Sequence, residues 1–85
     1  MNESIDTRIR SVALNIRKIR EYRNYTQEYL AMKLGISQNA YSKIELGYTR
    51  ITLERLIQVS QILDVETVDL ISGNSEDLVR LHTTK

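Results

Sequence analysis

Between Thr26 and Gly47 the chain reads TQEYLAMKLGISQNAYSKIELG, and this stretch leaves little freedom to whatever folds around it. Thr26 and Ser37 each suit a helix N-cap, because their hydroxyls can accept free backbone N–H groups of a first helical turn. Leu30, Ala31 and Leu34 form the apolar stripe of one short segment, and Tyr41 and Ile44 that of the next, at helical spacing. Gly35 stands between them, and glycine ends a helix in the left-handed conformation without a Cβ clash. Ala31 falls where the two helices would cross, and its small side chain permits a steep approach. The spacing therefore predicts two helices joined by a turn tighter than an ordinary loop.

The second helix of such a helix-turn-helix is free to present a polar face. At about 100° per residue, Tyr41 and Ile44 point to the core, while Asn39, Ser42, Lys43 and Leu46 point roughly the other way. Gln38 lies at the exposed first turn. An amide can donate to and accept from an adenine edge in a bidentate pair, and lysine suits guanine O6 and N7. Serine can contact bases or phosphates. Any solvated helix also carries such residues, but here they sit on the helix that the turn geometry projects outwards.

Eighty-five residues make one small domain, near the lower limit for an independent core. With no cysteine there is no disulfide, thiolate metal site or cysteine nucleophile, and the single histidine, His82, lies near the C-terminus. No metal, cofactor or enzymatic activity is expected, since there is also no glycine-rich phosphate loop and no plausible triad. No apolar run approaches the roughly 20 residues of a membrane span, and MNESIDTRIR has no signal-like apolar core. A soluble cytoplasmic protein with no membrane partner is the expectation. The net charge of +1 divides unevenly: residues 8–50 hold nine Lys or Arg against three acids, and residues 51–85 hold three against six. A polyanion would be drawn to one side only.

Taken in order, residues 1–7 are expected to form a flexible N-terminus, residues 8–71 the domain, and residues 72–85 a C-terminal tail. From Arg8 to Arg23, the residues Ile9, Val12, Ala13, Ile16 and Ile19 keep an i, i+3, i+4 stripe, so this first helix packs on one face. Its other face carries Arg8, Arg10, Arg17, Lys18 and Arg23, with only Glu21 available in the segment to pair with them. Phosphate contact is the reading for Arg17 and Arg23, against a salt-bridged solvated face. Tyr25 is expected beneath the second helix, and Gln27 opens that helix, where free N–H groups favour an anion such as a phosphate oxygen. Tyr48, Thr49 and Arg50 in the following loop are common phosphate donors. Thr52 caps a fourth helix with an expected inward stripe of Leu53, Leu56, Ile57, Ser60 and Leu63, leaving Val59 and Ile62 partly exposed. Residues 65–71 suit a short fifth helix. Val65, Val68, Leu70, Ile71 and, in the tail, Leu78 would serve a two-fold dimer contact, or else close a small core. After Gly73 and Asn74, the run SEDLVRLH offers a further one or two helical turns.

From NIRKIRE through TQEYLAMKLGISQNAYSKIELG to TLERLIQVSQILDV, about residues 8–71, the sequence closely resembles the Cro/cI-type helix-turn-helix family, the DNA-binding domains of phage repressors and many small bacterial regulators. The resemblance implies an all-α fold, a compact five-helix bundle of the lambda-repressor-like type, commonly dimeric, with the third helix in the major groove. It implies a phosphate contact at Gln27 and base contacts from Gln38, Asn39, Ser42 and Lys43. It also implies an ion pair between Arg20, late in the first helix, and Glu45, late in the third. Four positions depart from the family pattern. Tyr41 replaces an aliphatic core residue, Leu46 a basic or amide residue, Ile51 a frequent proline, and Glu66 a hydroxyl cap before the fifth helix.

The expected function is a sequence-specific regulator that binds duplex DNA as a homodimer, and repression or activation would depend on whether it occludes or touches RNA polymerase. An antitoxin that binds a toxin partner and represses its own operon is the alternative, although the tail after Ser72 is short for a partner-binding extension.

Overall fold

The first helix begins earlier than its apolar stripe suggests. In the computed structural model, which describes residues 4–73, α1 spans Ile5–Tyr22 and is followed by α2 (Gln27–Leu34), α3 (Gln38–Glu45), α4 (Leu53–Leu63) and α5 (Thr67–Ser72). There is no strand among the described residues. Ser4 caps α1, its Oγ accepting from the Thr7 backbone N–H at 3.1 Å, and Asp6 in the first turn complements the positive end of the helix dipole. Residues 5–7 are therefore helical rather than part of a flexible arm. The expected start at Arg8 was set by apolar periodicity, which says nothing about a polar cap.

The core gathers Ile16 and Ile19 from α1, Leu30 and Ala31 from α2, Tyr41 from α3, Leu56, Val59 and Leu63 from α4, and Leu70 from α5. On α4 the inward stripe is Leu56, Val59, Ser60 and Leu63, while Leu53 and Ile57 are exposed. This corrects the expected stripe. Both sets satisfy i, i+3, i+4 spacing and share Leu56, Ser60 and Leu63; packing against α1, α2 and α5 selects the one containing Val59. Ser60 is tolerated in the core because its hydroxyl donates to Ile57 O at 2.7 Å and shares a hydrogen bond of the same length with Thr67 Oγ1. That second bond also ties α4 to the first turn of α5, which Glu66 leaves without a side-chain cap.

Helix α5 is short, and α1 holds its C-terminal end. Buried Asn15 sends its Nδ2 to Leu70 O at 2.8 Å and to Gly73 O at 2.9 Å, and Arg8 Nη2 reaches Ile71 O at 2.8 Å. The last carbonyls of a helix have no partner within it and carry the negative end of its dipole. The same device recurs elsewhere. Arg23 Nε and Nη2 donate to Leu63 O and Asp64 O at 2.9 and 3.1 Å, closing the end of α4, and Arg55 Nη1 donates to Leu34 O at 3.1 Å, closing α2. Asp64 itself turns left-handed at φ 59°, a conformation that aspartate visits more readily than most residues.

Leu70 is fully buried within the chain, which removes it from the expected dimer surface and makes it a core residue. Val68 and Ile71 on the same helix are exposed, and Val65 is half-buried. Leu78, His82 and the expected helical turns of the tail lie outside the described residues.

Candidate nucleic-acid interface

The joint between α2 and α3 is built locally. Gly35 adopts φ +73°, and the Ile36 N–H donates to Ala31 O at 3.0 Å, closing the turn while Ile36 packs against the core. Thr26 Oγ1 accepts from the Tyr29 N–H and Ser37 Oγ from the Ala40 N–H, each at 3.0 Å. Both helix starts are thus capped by side chains from the intervening turns, and α3 is held at a fixed angle to α2. Tyr25, just before α2, is half-buried, and its ring lies 4.8 Å from that of Tyr29.

On α3, Tyr41, Ile44 and Glu45 are buried. Gln38, Asn39, Ala40 and Lys43 are exposed, and Ser42 is half-buried at the edge of the same face. At about 100° per residue, Gln38, Asn39, Ser42 and Lys43 fall within an arc of about 140°. Leu46 lies within that arc and is also exposed, adding an apolar surface between the polar ones.

The buried side of α3 carries a charge network. Arg20 meets the Glu45 carboxylate with Nε to Oε2 at 2.6 Å and Nη2 to Oε1 at 3.1 Å, and its Nη1 donates to Tyr25 O at 2.8 Å. The Tyr41 hydroxyl donates to Glu45 Oε2 at 2.5 Å, and Gln27 Nε2 to Oε1 at 3.1 Å. A buried charge is tolerable only when paired and hydrogen-bonded, and Glu45 satisfies both conditions. The hydrogen bond to Glu45 raises the Arg20 pKa above its ordinary value. Burial, followed by the hydrogen bond to Glu45, pushes the Tyr41 phenol well above the usual tyrosine range. The hydroxyl that Tyr41 brings into an otherwise aliphatic position thus has a partner inside the domain.

The phosphate candidates divide. Tyr48, Thr49 and Arg50 sit exposed on the loop after α3, which Gly47 opens at φ +77°. A Cβ on Gly47 would stand 3.3 Å from Arg10 Cγ, a contact that the exposed arginine chain can relieve, so the left-handed conformation is what calls for glycine here. Arg50 Nη2 lies 2.9 Å from Asp6 Oδ1, and Arg17 Nε 3.1 Å from Glu21 Oε2. Both pairs are exposed, and such pairs contribute roughly 0–1 kcal/mol, so either arginine can exchange partners. Arg23 cannot do so freely. Its Nε and Nη2 close the C-terminal end of α4, so a phosphate contact would fall to the rest of the guanidinium.

Asn15 and Arg55, which close the ends of α5 and α2, have no role in the sequence reading, and neither does the hydroxyl of Tyr41. Asn15 had a signal: it stands three residues after Val12 and four before Ile19, a polar residue on an apolar stripe. Tyr41 had one as well, a hydroxyl at a position where the family pattern has an aliphatic side chain.

Two short helices crossing through a left-handed glycine, each capped at its start, with the second turning amides and a lysine outward, define a helix-turn-helix domain. The chain belongs to the Cro/cI-like helix-turn-helix family, whose model matches residues 16–70. Among its relatives is the uncharacterized HTH-type transcriptional regulator YqaE of Bacillus subtilis (strain 168), 40% identical over 65 residues, a match covering 76% of this chain and 56% of the relative. Another is the SPbeta prophage-derived uncharacterized HTH-type transcriptional regulator YonR of the same organism, 36% identical over 58 residues, covering 68% of this chain and 54% of the relative. The matched region is thus little more than half the length of each of these curated relatives. No solved structure gives a significant match. Among the described residues no helix is long and apolar enough to cross a membrane.

Proposed function

We propose that this chain is a sequence-specific transcription regulator that binds duplex DNA as a homodimer, with α3 in the major groove. The observation that carries the reading is the outward face of α3, where Gln38, Asn39 and Lys43 are exposed on a short helix whose opposite side is fixed by buried Tyr41, Ile44 and Glu45. Bidentate amides and a lysine on such a helix match the donor and acceptor pattern of base edges, and half-buried Ser42 completes the set. Gln27, Arg17, Tyr48, Thr49 and Arg50 then contact phosphates, which position the domain without reading sequence. The names of the two relatives, both HTH-type transcriptional regulators, support the regulatory part of the reading.

Exposed Val68 and Ile71, with half-buried Val65, would form the apolar contact of a two-fold dimer. Two copies of α3 would meet half-sites about one helical turn, ~34 Å, apart on a near-palindromic operator. Occlusion of RNA polymerase at that operator would give repression. Selection of bound duplexes from a random library, at two salt concentrations, tests the reading. An inverted repeat with fixed spacing is the expected result; weak, salt-sensitive binding to every sequence would refute it.

A further inference from the structure

Three helices meet at one carboxylate. Glu45 Oε2 accepts from Arg20 Nε and the Tyr41 hydroxyl, and Oε1 accepts from Arg20 Nη2 and Gln27 Nε2. These four donors match the roughly four lone-pair positions of an ionised carboxylate. Because a carboxylate only accepts, Gln27 must turn its amide nitrogen, and not its oxygen, towards Glu45. One N–H of that amide is thereby held. The other is the remaining side-chain donor of Gln27, at the first residue of α2 where backbone N–H groups are also free of helical partners.

Arg20 is fixed at both ends, by Glu45 and by Tyr25 O. Gln27 is held only through its contact with Glu45 Oε1, so it is the partner able to move when the carboxylate loses a donor. Tyr41 is fully buried, and a ring that only filled space would need no hydroxyl. Building on the reading of Gln27 as a phosphate ligand, we infer that Tyr41 is a positioning residue for DNA binding. By occupying Oε2 of Glu45, its hydroxyl leaves Oε1 to Gln27 and holds that amide with its second N–H directed at the phosphate. Without the hydroxyl, Oε2 is one donor short in a pocket closed to solvent, and the Gln27 amide shifts across the carboxylate to fill it.

The test combines Tyr41→Phe, Gln27→Ala and the double variant, with duplex affinity measured by fluorescence anisotropy at a temperature where circular dichroism shows every chain folded. Tyr41→Phe is expected to weaken binding by about three- to tenfold, the worth of one net hydrogen bond. The loss should vanish in the Gln27→Ala background. The salt dependence should stay unchanged, because no cation has been removed. In the unbound protein, the side-chain NH2 resonances of Gln27 should move on Tyr41→Phe, which a packing role alone would not require. A parent chain that binds duplex while Tyr41→Phe binds equally well overturns this inference alone. An equal loss in both backgrounds, or Gln27 resonances that do not move, does the same. A parent that binds no duplex overturns the DNA-binding reading, and this inference with it.

Discussion

Asn15 offers a sharp test of how α1 holds α5. Its side chain is buried and makes two hydrogen bonds, to Leu70 O at 2.8 Å and Gly73 O at 2.9 Å. Asn15→Ala removes both, at about 1 kcal/mol net each, and leaves the buried Leu70 carbonyl unpaired at a further ~1–2 kcal/mol. The Gly73 carbonyl is only part-buried and can turn to water, so the total is about 2–4 kcal/mol. For a domain of this size that corresponds to a melting temperature lower by roughly 10–25 °C. Asn15→Asp keeps the shape but replaces the donor with an acceptor facing two carbonyls, and should cost at least as much at pH 7. Burial raises the pKa of that carboxyl in the folded state, so the protonated acid, which can donate once, restores part of the stability as pH falls towards ~4. Thermal unfolding followed by circular dichroism gives the magnitude, and amide exchange in α5 shows where protection is lost. Variants that melt within about 3 °C of the parent, equivalent to less than 1 kcal/mol, would refute the clamp.

The remaining expectations concern the charge network, the phosphate contacts and the dimer. Tyr41 has a folded-state pKa raised above its unfolded value near 10, so its contribution is complete below pH ~10 and declines as pH rises beyond it. Stability above pH 10 should therefore fall more steeply in the parent than in Tyr41→Phe, by up to ~1.4 kcal/mol per pH unit, and parallel curves in denaturant titrations would exclude it. Arg50→Ala should weaken all duplexes alike and lower the salt slope by about one unit, as read from binding isotherms at several salt concentrations. Val68→Asp should abolish the proposed two-fold association in sedimentation while leaving the monomer folded. Leu70→Ala should instead lower stability by ~2–5 kcal/mol as a core truncation.

Local rules were the most legible part of this chain. Thr26, Ser37 and Thr52 cap the helices they precede, and Gly35 turns left-handed, because each depends on a few neighbouring atoms already written in sequence order. The rotation of α4 was not legible. Leu53 and Ile57 on one side and Val59 on the other give equally good helical stripes, and only the neighbours of α4 in space distinguish them. Leu70 was similarly ambiguous, since an apolar residue near a chain end suits a core or a partner. On α3 the outward residues follow from periodicity alone. Of the buried network, the family resemblance gives only the Arg20–Glu45 pair, 25 positions apart, while the arrival of Gln27 and Tyr41 at the same carboxylate needs the fold. Charge counting was the least faithful guide. It treated every cation of the basic half as available to a polyanion, while Arg20 and Arg23 are engaged inside the fold.

That division of the cations follows residue type, and it gives the protein a chemical signature. Among the described residues, the cations that close helix ends or join the buried network are Arg8, Arg20, Arg23 and Arg55, and all are arginines, whose forked guanidinium can meet two acceptors at once. Lys18, Lys33 and Lys43 are exposed, and none makes a bond that the fold requires. Acylation of the lysines should therefore proceed on the native molecule without unfolding it, and bound DNA should shield Lys43. A dicarbonyl reagent that attacks guanidinium groups should modify Arg10 and Arg17 readily but reach Arg20 only when the domain opens, so its rate of reaction there measures the frequency of opening.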